Sequence, residues 1–540
     1  MPKKLSILAL LGLCAILVVL TPAFIQASVI FPRDLSPNSR TEFLMLALEA
    51  TDWMMQFQIT PSACSWGWHT PSSEAWGGLA GYYTRNYLWA AIYGAESPNI
   101  TYIASHDTGW FMQCCVKAYT HTRDSKYLAA AQLAADWAMR LQIGYSNWPA
   151  TFESNYVALA KQNRSVTYSF TKSKIPSDAV GSFAEGMFFF SGVPPGFGQW
   201  GGKANFAQPA WWIAPEHSNP LINGLLDLYE ITGNQTYKTA AIRASSWLLT
   251  IQNEQGGVYT CLPSTAYGVR LGDTLESIST WIRIYQLTGN QTYLKAATKA
   301  GDFVLSSQYR NKTEETYGGF PYLSKTLGER HIKSAFTGDA AGAIVALLQL
   351  YQFTRNASYL CGCNGIDEQP TSGAIIAAEF LLRSQLTPFY YSWGKHWYWN
   401  QRKAMGGILF GFIPEDQRYS EWQMGGAATA AVEALLRLDK IQPRHEYIKA
   451  AGLILRWLID TEMHTPSCEV NSLPGLSYIG TKHGLYKAGY LPPAQEYYDA
   501  LEGTLYGHPS QGFSVAMSCA GPALVYYYIY EYLSGDTSKS

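Results

Sequence analysis

The sequence YEITGNQTY at 229–237 returns almost unchanged as YQLTGNQTY at 285–293. The same frame occurs as YQFTRNASY at 351–359 and as YTHTRDSKY at 119–127. Internal repeats of this kind are typical of arrays of structural units, each of which buries its apolar face against its neighbours. We therefore interpret the chain as a set of repeated helical units.

Each frame ends in an aromatic residue, and a second aromatic follows ten positions later with a glutamine five positions beyond it. The copies are Phe43, Trp53 and Gln58; Tyr127, Trp137 and Gln142; Tyr237, Trp247 and Gln252; Tyr293, Phe303 and Gln308; Tyr447 and Trp457 with Glu462 for the glutamine; and Phe380 with Gln385, whose Tyr359 is displaced by an insertion carrying Cys361 and Cys363. These copies predict six amphipathic outer helices.

Apolar, Ala-rich or Gly-rich stretches with helical spacing lie between the frames and predict inner helices. Their expected bounds are Asp107 to Tyr119, Ser218 to Ile231, Asp273 to Leu287, Asp339 to Phe353, Gly425 to Leu438 and Ser518 to Leu533. The turns of the TGNQ type are expected to place Gly and Asn where φ is positive.

Twelve helices in alternating inner and outer positions predict an all-α fold, an (α/α)6 toroid occupying residues 28–540 as a single domain. An open solenoid is the alternative, and it would need polar terminal repeats. The last helix contains PALVYYYIYEYL at 522–533 and is as apolar as any other, which favours a closed ring.

The N-terminus has the layout of an export signal. Lys3 and Lys4 precede an apolar run from Leu5 to Leu20, and a stretch of small residues ends at Ala27. Residues 1–27 are expected to be a signal peptide cut after Ala27, or else an uncleaved membrane anchor. The rest of the chain is then secreted or extracellular. Six N-x-[ST] sequons are compatible with this, at Asn99, Asn163, Asn234, Asn290, Asn311 and Asn356.

Composition excludes some partners. The net charge is −1 and there is no basic run, so we expect no nucleic-acid partner, because phosphate binding needs clustered Lys and Arg. Cys361-Gly-Cys363 lacks the spacing of a zinc site and has no nearby His, so no metal site is predicted. No cofactor is predicted either. The aromatic content of 14% suits a surface that stacks on sugars.

The connections from outer to inner helices are long and unlike one another, so function is expected on them. Connections 61–105, 144–216 and 387–424 carry twelve of the eighteen tryptophans. Either these side chains stack on sugar rings or they pack the loops onto the ring. The tryptophans predicted to bind an oligosaccharide or polysaccharide substrate are Trp66, Trp68, Trp110, Trp211, Trp212 and Trp397.

In a toroid the N-termini of inner helices point into the funnel, so titratable groups there are candidates for catalysis. The predicted catalytic residues are His106, Asp107, Glu216 and His217, with Arg270 and Asp339 as substrate-binding residues. Asp273, Glu276, Glu415, Asp416 and Glu421 occupy similar positions. For Asp273 and Asp339 the alternative is simple N-capping.

The segment HDTGWF at 106–111 resembles the HD-x-G-F segment of unsaturated glucuronyl hydrolases, which are (α/α)6 toroids. GDAAGAIVALLQL at 338–350 and LINGLLDLYEITGN at 221–234 resemble two further helices of that family. The resemblance implies that Asp107 is the first of two catalytic aspartates. The second is not matched, since His217 stands at its position.

One other departure accompanies the missing aspartate, and a neighbouring residue offers a replacement for it. Glu216 lies beside His217, so either side chain is a candidate replacement for the second aspartate. The W-A-R-G segment of the family is also missing, and the chain has RLGD at 270–273 in its place. The resemblance implies acid and base chemistry on a terminal unsaturated uronic acid, and these departures leave the chemistry of this chain open.

Three functions remain in view. The first is a glycoside hydrolase acting on uronic-acid-containing oligosaccharides, with Asp107 and either Glu216 or His217 as acid and base. Arg270, Arg330 and Arg418 then either meet the sugar carboxylate or form surface ion pairs. The second is a uronate lyase or C5-epimerase, with candidate residues in the last long connection, namely His464, His483, Tyr490 and His508. The third is a non-catalytic sugar-binding surface protein.

Overall fold

The structure is a computed structural model. It describes residues 35–534 except for 56–57, 62–75, 84–99, 145–150, 153–154, 161–163, 170–172, 175–178, 185, 192–204, 211–212, 261–267, 323–333, 364–368, 386–405, 410, 414–417, 420–422, 460–475, 480–485 and 491–512. The predicted signal or anchor at 1–27 lies outside these residues. Within the described part, no helix combines the length and apolarity that crossing a bilayer demands.

Six inner helices are observed, each within four residues of its predicted bounds. They are α2 (Ser105–Thr122), α4 (Pro215–Thr232), α6 (Leu271–Thr288), α8 (Thr337–Thr354), α10 (Gly425–Ile441) and α12 (Val515–Leu533). Each packs against the next, and α12 packs against α2. The inner layer is therefore a closed ring, which confirms the toroid.

Six outer helices surround this ring. They are α1 (Arg40–Met55), α3 (Ser125–Leu141), α5 (Gln235–Thr250), α7 (Gln291–Ser307), α9 (Gly373–Arg383) and α11 (His445–Ile459). The aromatic residues of the repeated frame face inward. Tyr127, Tyr237, Tyr293 and Tyr447 are at most 5% exposed. The outer helices are thus held by one anchor aromatic near each N-terminus.

The two ends of the chain meet, as closure requires. Helix α1 packs against α12, where Thr51 Oγ1 lies 3.1 Å from the Tyr527 hydroxyl. On the other side of α12, Lys117 Nζ of α2 donates to Glu531 Oε1 at 2.8 Å. The apolar last helix is buried between these two neighbours, and an open solenoid is excluded.

The repeated turn has a simple hydrogen-bond logic. In the turn at 229–237, Gly233 has φ +71° and its N–H donates to the Tyr229 carbonyl at 2.8 Å. Asn234 then caps α5, because its Oδ1 accepts from Thr236 N at 3.0 Å. The expectation that Asn occupies a positive-φ position was wrong. Asn234 is extended, with φ −70°, and serves as an N-cap.

Two of the turns place arginine where the others have glycine. Arg123 has φ +60° and Arg355 has φ +57°, the left-handed region that costs an L-residue about 1–2 kcal/mol. Replacing Arg355 by Gly should therefore raise the unfolding free energy, by at most about 1 kcal/mol after the greater flexibility of unfolded Gly is subtracted. Urea unfolding of R355G measures this gain, and a clear loss of stability would contradict the strain argument.

In the five copies that have the glutamine, its side chain forms a hydrogen bond to the next outer helix. Gln142 Nε2 donates to the Gly181 carbonyl at 3.0 Å and to the Ala240 carbonyl of α5 at 2.8 Å. Gln58, Gln252, Gln308 and Gln385 each make the same pair of bonds, to a glycine with φ between +85° and +105° and to the first turns of the next outer helix. We call this arrangement the Gln–Gly clasp.

The insertion that precedes α9, in the copy with Phe380 and Gln385, is compact. It contains a helical turn, Ser358–Cys361, and a disulfide between Cys361 and Cys363. Tyr359 remains buried there and donates a hydrogen bond to Asp302 Oδ1 of α7 at 2.9 Å. The frame tyrosine thus keeps its packing role although α9 begins 14 residues later.

Short antiparallel strands, which the sequence interpretation did not include, occur in the connections. They are β1 (Ala80–Tyr83), β2 (Ile100–Ala104), β3 (Thr151–Phe152), β4 (Asn155–Ala160), β5 (Arg164–Ser169), β6 (Ser173–Lys174), β7 (Gly186–Ser191), β8 (Asn205–Ala210), β9 (Ala335–Phe336), β10 (Gly411–Ile413), β11 (Arg418–Tyr419), β12 (Gln423–Met424), β13 (Leu476–Ile479), β14 (Tyr486–Tyr490) and β15 (Phe513–Ser514).

The strands position the inner helices. The largest sheet has the order β15-β1-β2-β7-β8, with registers such as Tyr82↔Ser514 and Ala104↔Gly186. Strands β2, β9, β12 and β15 each lead directly into an inner helix. The three sheets that contain these strands therefore lie at the end of the ring where the inner helices begin.

Candidate functional site

The four inner helices α2, α4, α6 and α8 begin without side-chain caps. Their N-cap residues are Ala104, Ala214, Arg270 and Phe336, none of which makes a side-chain cap hydrogen bond. Each first turn nevertheless carries an acidic residue, namely Asp107, Glu216, Asp273 and Asp339. The capping explanation for Asp273 and Asp339 was therefore wrong.

Titratable side chains gather around these four first turns. We call them the acid–base cluster, which consists of His106, Asp107, Glu216, His217, Arg270, Asp273, Glu276 and Asp339. All the described catalytic candidates from the sequence belong to it, and so do Arg270 and Asp339. The uncapped helix ends add their positive dipole to the same region.

Arg270 ties two helices of the cluster together. Its Nη2 donates to Asp273 Oδ1 at 2.8 Å and also to Glu216 Oε2. Asp273 Oδ2 accepts a further bond from Thr260 Oγ1 at 2.5 Å. Burial tends to lower the pKa of Arg270, but the two carboxylates outweigh it and hold this pKa well above its usual range. The guanidinium is permanently charged.

The same contacts give the carboxyl groups of Glu216 and Asp273 different pKa values. Burial tends to raise the pKa of Glu216, yet Arg270 and the neighbouring histidines lower it to about 2. For Asp273, burial prevails over the attraction of Arg270 and raises the pKa to about 6. At neutral pH Glu216 is therefore ionised, which excludes it as a proton donor.

The two histidines of the cluster face each other. The ring centroids of His106 and His217 are 5.3 Å apart, with an interplanar angle of 86°. His106 Nε2 lies 3.3 Å from Asp107 Oδ1, and His217 Nε2 lies 3.6 Å from Glu216 Oε1. The Trp110 ring is 5.2 Å from that of His106. Each imidazole thus has one nitrogen turned to its own carboxylate.

Burial keeps both imidazoles neutral. It lowers the pKa of His106, and it lowers that of His217 to about 4, despite the attraction of Asp107 and Glu216. The Nδ1 atoms of both rings are buried and have no hydrogen-bond partner among the described residues.

Two more carboxyl groups hold protons in the neutral range. Burial raises the pKa of Asp339 to about 7 and that of Glu276 to about 8. Repulsion from Asp273 adds to both shifts. Asp339 Oδ2 and Glu276 Oε2 have no hydrogen-bond partner within the described part of the chain. Both groups therefore hold a proton during part or most of the time at neutral pH.

Glu276 gives a pH-dependent contribution to stability whose sign follows from its pKa. The folded pKa is about 8 and the ordinary value is 4.5, so the folded protein holds an extra proton between these limits. The unfolding free energy therefore falls as the pH rises from about 5 to about 8. We expect Glu276→Gln to flatten this fall, as measured by urea unfolding between pH 5 and pH 9. An unchanged slope would contradict the shift.

The remaining predicted residues divide into two groups. Arg418 and Tyr490 belong to strands β11 and β14. Outside the described residues lie Trp66, Trp68, Trp211, Trp212, Trp397, Arg330, Glu415, Asp416, Glu421, His464, His483 and His508. The aromatic rim is therefore represented by Trp110 alone among the predicted sugar-stacking residues.

Two partners of the cluster escaped the sequence interpretation. Thr260 donates a hydrogen bond to Asp273. The Tyr322 hydroxyl interacts with Arg270: burial raises the pKa of Tyr322, and the charge of Arg270 opposes that shift. Both lie in irregular connections, with no repeat or spacing to mark them. Nothing in the sequence signals their role, because it depends on how the connections fold back over α6.

No family model matches the chain, and no curated protein matches it in sequence. Solved structures are similar in fold. An unsaturated glucuronyl hydrolase specific for heparin matches at 11% identity and TM-score 0.53, covering 92% of this chain and 98% of the other. Cellobiose 2-epimerase from Bacillus thermoamylovorans B4167 matches at 11% and 0.52, covering 90% and 99%. A GH76 alpha-mannanase of Bacteroides thetaiotaomicron matches at 10% and 0.51, covering 92% and 98%.

These likenesses confirm the predicted fold. The chain has the architecture of six-hairpin glycosidase-like (α/α)6 toroids, and the resemblance drawn from HDTGWF at 106–111 is confirmed at that level.

Proposed function

We propose that the chain is a carbohydrate-active enzyme whose reaction is a proton transfer at the His106–His217 pair. The observation that carries this proposal is the pair itself, two neutral imidazoles 5.3 Å apart, each beside its own carboxylate. The three similar structures are those of an unsaturated glucuronyl hydrolase, a cellobiose 2-epimerase and an alpha-mannanase, which supports a sugar as the substrate.

The reaction that suits this pair best is epimerisation or isomerisation. One neutral imidazole removes the proton from the carbon next to a carbonyl, and the electron pair of the broken C–H bond moves into the carbonyl group. In epimerisation the imidazolium passes this proton to the second imidazole, which returns it to the same carbon on the opposite face while the electron pair moves back from the carbonyl oxygen. In isomerisation the imidazolium returns the proton to the former carbonyl carbon, and the proton of the neighbouring hydroxyl moves to the former carbonyl oxygen. A base with a pKa near 4, as for His217, is fully available at neutral pH.

The charges favour a neutral sugar over a uronic acid. In the acid–base cluster, Arg270 is the cation, and it is already bonded to Glu216 and Asp273. A uronate carboxylate would find Arg270 already paired, and it would lie near Asp107, whose Oδ1 is 3.3 Å from His106 Nε2. We therefore propose a reducing sugar without a carboxylate as the substrate class.

A glycoside hydrolase is the second candidate, and one observation favours it. Asp339 has a pKa near 7, as a general acid for glycosidic oxygen requires, while Asp107 stands where the resembling family has a catalytic aspartate. In this version Asp339 donates the proton and Asp107 acts as the base. Glu216 is unsuited to the donor role because it is ionised.

Export is a further part of the proposal. The N-terminal segment 1–27 has the layout of a signal, and a secreted enzyme would meet free sugars or polysaccharide outside the cell.

Incubation of the full chain in D2O separates the candidates. With a reducing hexose or a β-linked disaccharide, an epimerase or isomerase introduces deuterium at the carbon beside the carbonyl, which NMR detects. A hydrolase releases new reducing ends without deuterium uptake. Unsaturated uronic oligosaccharides, followed by their ultraviolet absorbance, test the uronic-acid alternatives. Binding of sugars without any turnover would defeat the enzymatic proposal.

A further inference from the structure

Three of the sequons occupy the same position in three successive repeats. Asn234, Asn290 and Asn356 each follow the positive-φ residue of the repeated turn. Asn234 and Asn290 cap the next helix, and Asn356 Oδ1 accepts the equivalent bond from Ser358 N, two residues on. Each is exposed. The turns lie at the C-terminal ends of α4, α6 and α8, whereas the acid–base cluster lies at the N-terminal ends. An 18-residue helix, about 27 Å long, separates the two faces.

The capping bond does not use the carboxamide nitrogen, which is the atom to which an N-linked glycan attaches. In each turn the carboxamide oxygen accepts from the backbone N–H two residues on, at 3.0 Å. An N-linked glycan attaches to the carboxamide nitrogen, and the oxygen keeps its lone pairs. Capping and modification are therefore compatible at the same side chain.

Asn311 makes a useful contrast. It belongs to a connection rather than to a repeated turn, and its Nδ2 donates to Glu314 Oε1 at 2.9 Å. Its Oδ1 accepts from both the backbone N–H and the hydroxyl of Thr313. Asn311 is left out of this set because it belongs to a connection and not to a repeated turn.

We propose that Asn234, Asn290 and Asn356 carry N-linked glycans, which coat the face of the toroid opposite the acid–base cluster. The donor is an oligosaccharide linked to a lipid phosphate or diphosphate. A bond forms between the asparagine Nδ2 and the sugar C1, the C1–O bond to phosphate breaks, the lipid phosphate leaves with the electron pair, and Nδ2 loses one proton. The glycans then leave the funnel open to substrate. This proposal uses the expected export and does not depend on which sugar reaction the site performs.

The chain supplies its own control for the test. In the equivalent turn before α3, Asp124 accepts from Lys126 N at 3.0 Å, so aspartate serves as the cap there without a sequon. Asn234→Asp, Asn290→Asp and Asn356→Asp should each keep the helix cap and remove only the acceptor nitrogen. Thr236→Ala removes the sequon while Asn234 keeps its cap, and Thr236→Ser preserves both.

The experiment is peptide mass spectrometry on the full chain purified from the cells that make it naturally. We expect a glycan mass on all three asparagines, its loss one site at a time in the three Asp variants, its loss at Asn234 in T236A and its retention in T236S. Sugar turnover should remain unchanged throughout. Unmodified asparagine at these positions, or a chain retained inside the cell, would overturn the proposal.

Discussion

His217→Asn should lower kcat for the proposed sugar reaction by about 100-fold to 10,000-fold, the range that a positioned general acid or base contributes. His217 is buried, lies edge to face with His106 and is neutral above its pKa of about 4. Asparagine keeps a polar side chain of similar reach but cannot take up a proton. Substrate binding should change little, so KM should stay within a few-fold of its original value.

The pH profile tests the same assignment. A base must be unprotonated to act, so kcat/KM should rise as the pH increases through about 4 and stay level toward neutrality. In His217→Asn the rise near pH 4 should disappear. A profile that keeps its acid limb in the variant would assign the proton transfer to another group.

His121→Asn is the matched control for this substitution. His121 lies at the other end of α2, where its Nε2 is 3.1 Å from Glu531 Oε1 and its ring is 5.8 Å from that of Tyr527. It is a partly buried histidine beside a carboxylate, like His217, but on the face away from the cluster. Turnover should be unaffected by this change. An equal loss in both variants would indicate general damage to the fold rather than catalysis.

Much of the ring was predictable from the repeats because each repeated residue has a structural role that depends on its local surroundings. Tyr229 supplies the carbonyl that the turn bonds to, Gly233 takes the left-handed conformation, and Tyr237 anchors the outer helix. Such roles depend on near neighbours in sequence, so the pattern repeats wherever the unit repeats. The strands were not predicted, because their pairing joins segments such as Tyr82 and Ser514 that are distant in sequence.

The candidate site was predictable in its location but not in its electrostatics. The toroid places the first turns of the inner helices together, and His106, Asp107, Glu216 and His217 were found there. What Arg270 does was not predictable. It was expected either to meet a sugar carboxylate or to form surface ion pairs, and the structure pairs it with two carboxylates, from α4 and α6. That outcome depends on side-chain geometry between helices, which no spacing encodes.

Gly256→Ala should destabilise the fold by about 2–6 kcal/mol, because it combines an unfavourable backbone conformation with a steric overlap. Gly256 has φ +105°, where a side chain costs about 1–3 kcal/mol. A Cβ there would lie 2.2 Å from the Lys299 carbonyl oxygen of α7, and relieving such overlap costs about 1–3 kcal/mol more. Helix α7 would have to move outward, away from Gln252.

Gly233→Ala separates the two contributions. Gly233 also has positive φ, at +71°, but a Cβ there meets nothing within 4 Å. Its substitution should cost only the backbone preference, about 1 kcal/mol. Urea unfolding of both variants gives the difference, which is an upper limit on the steric cost of moving α7, because φ +105° is also less favourable than φ +71°.

Gln252→Leu removes the glutamine of the same Gln–Gly clasp. Gln252 Nε2 bonds the carbonyls of Gly256 at 3.0 Å and Ala296 at 2.9 Å, and leucine leaves both acceptors without this donor at about 1–3 kcal/mol each. Because both changes break one junction, their combined effect in the double variant should be smaller than the sum of the two single effects. Full additivity would mean that the glycine and the glutamine act independently, and the clasp would then not be the unit that links neighbouring outer helices around the ring.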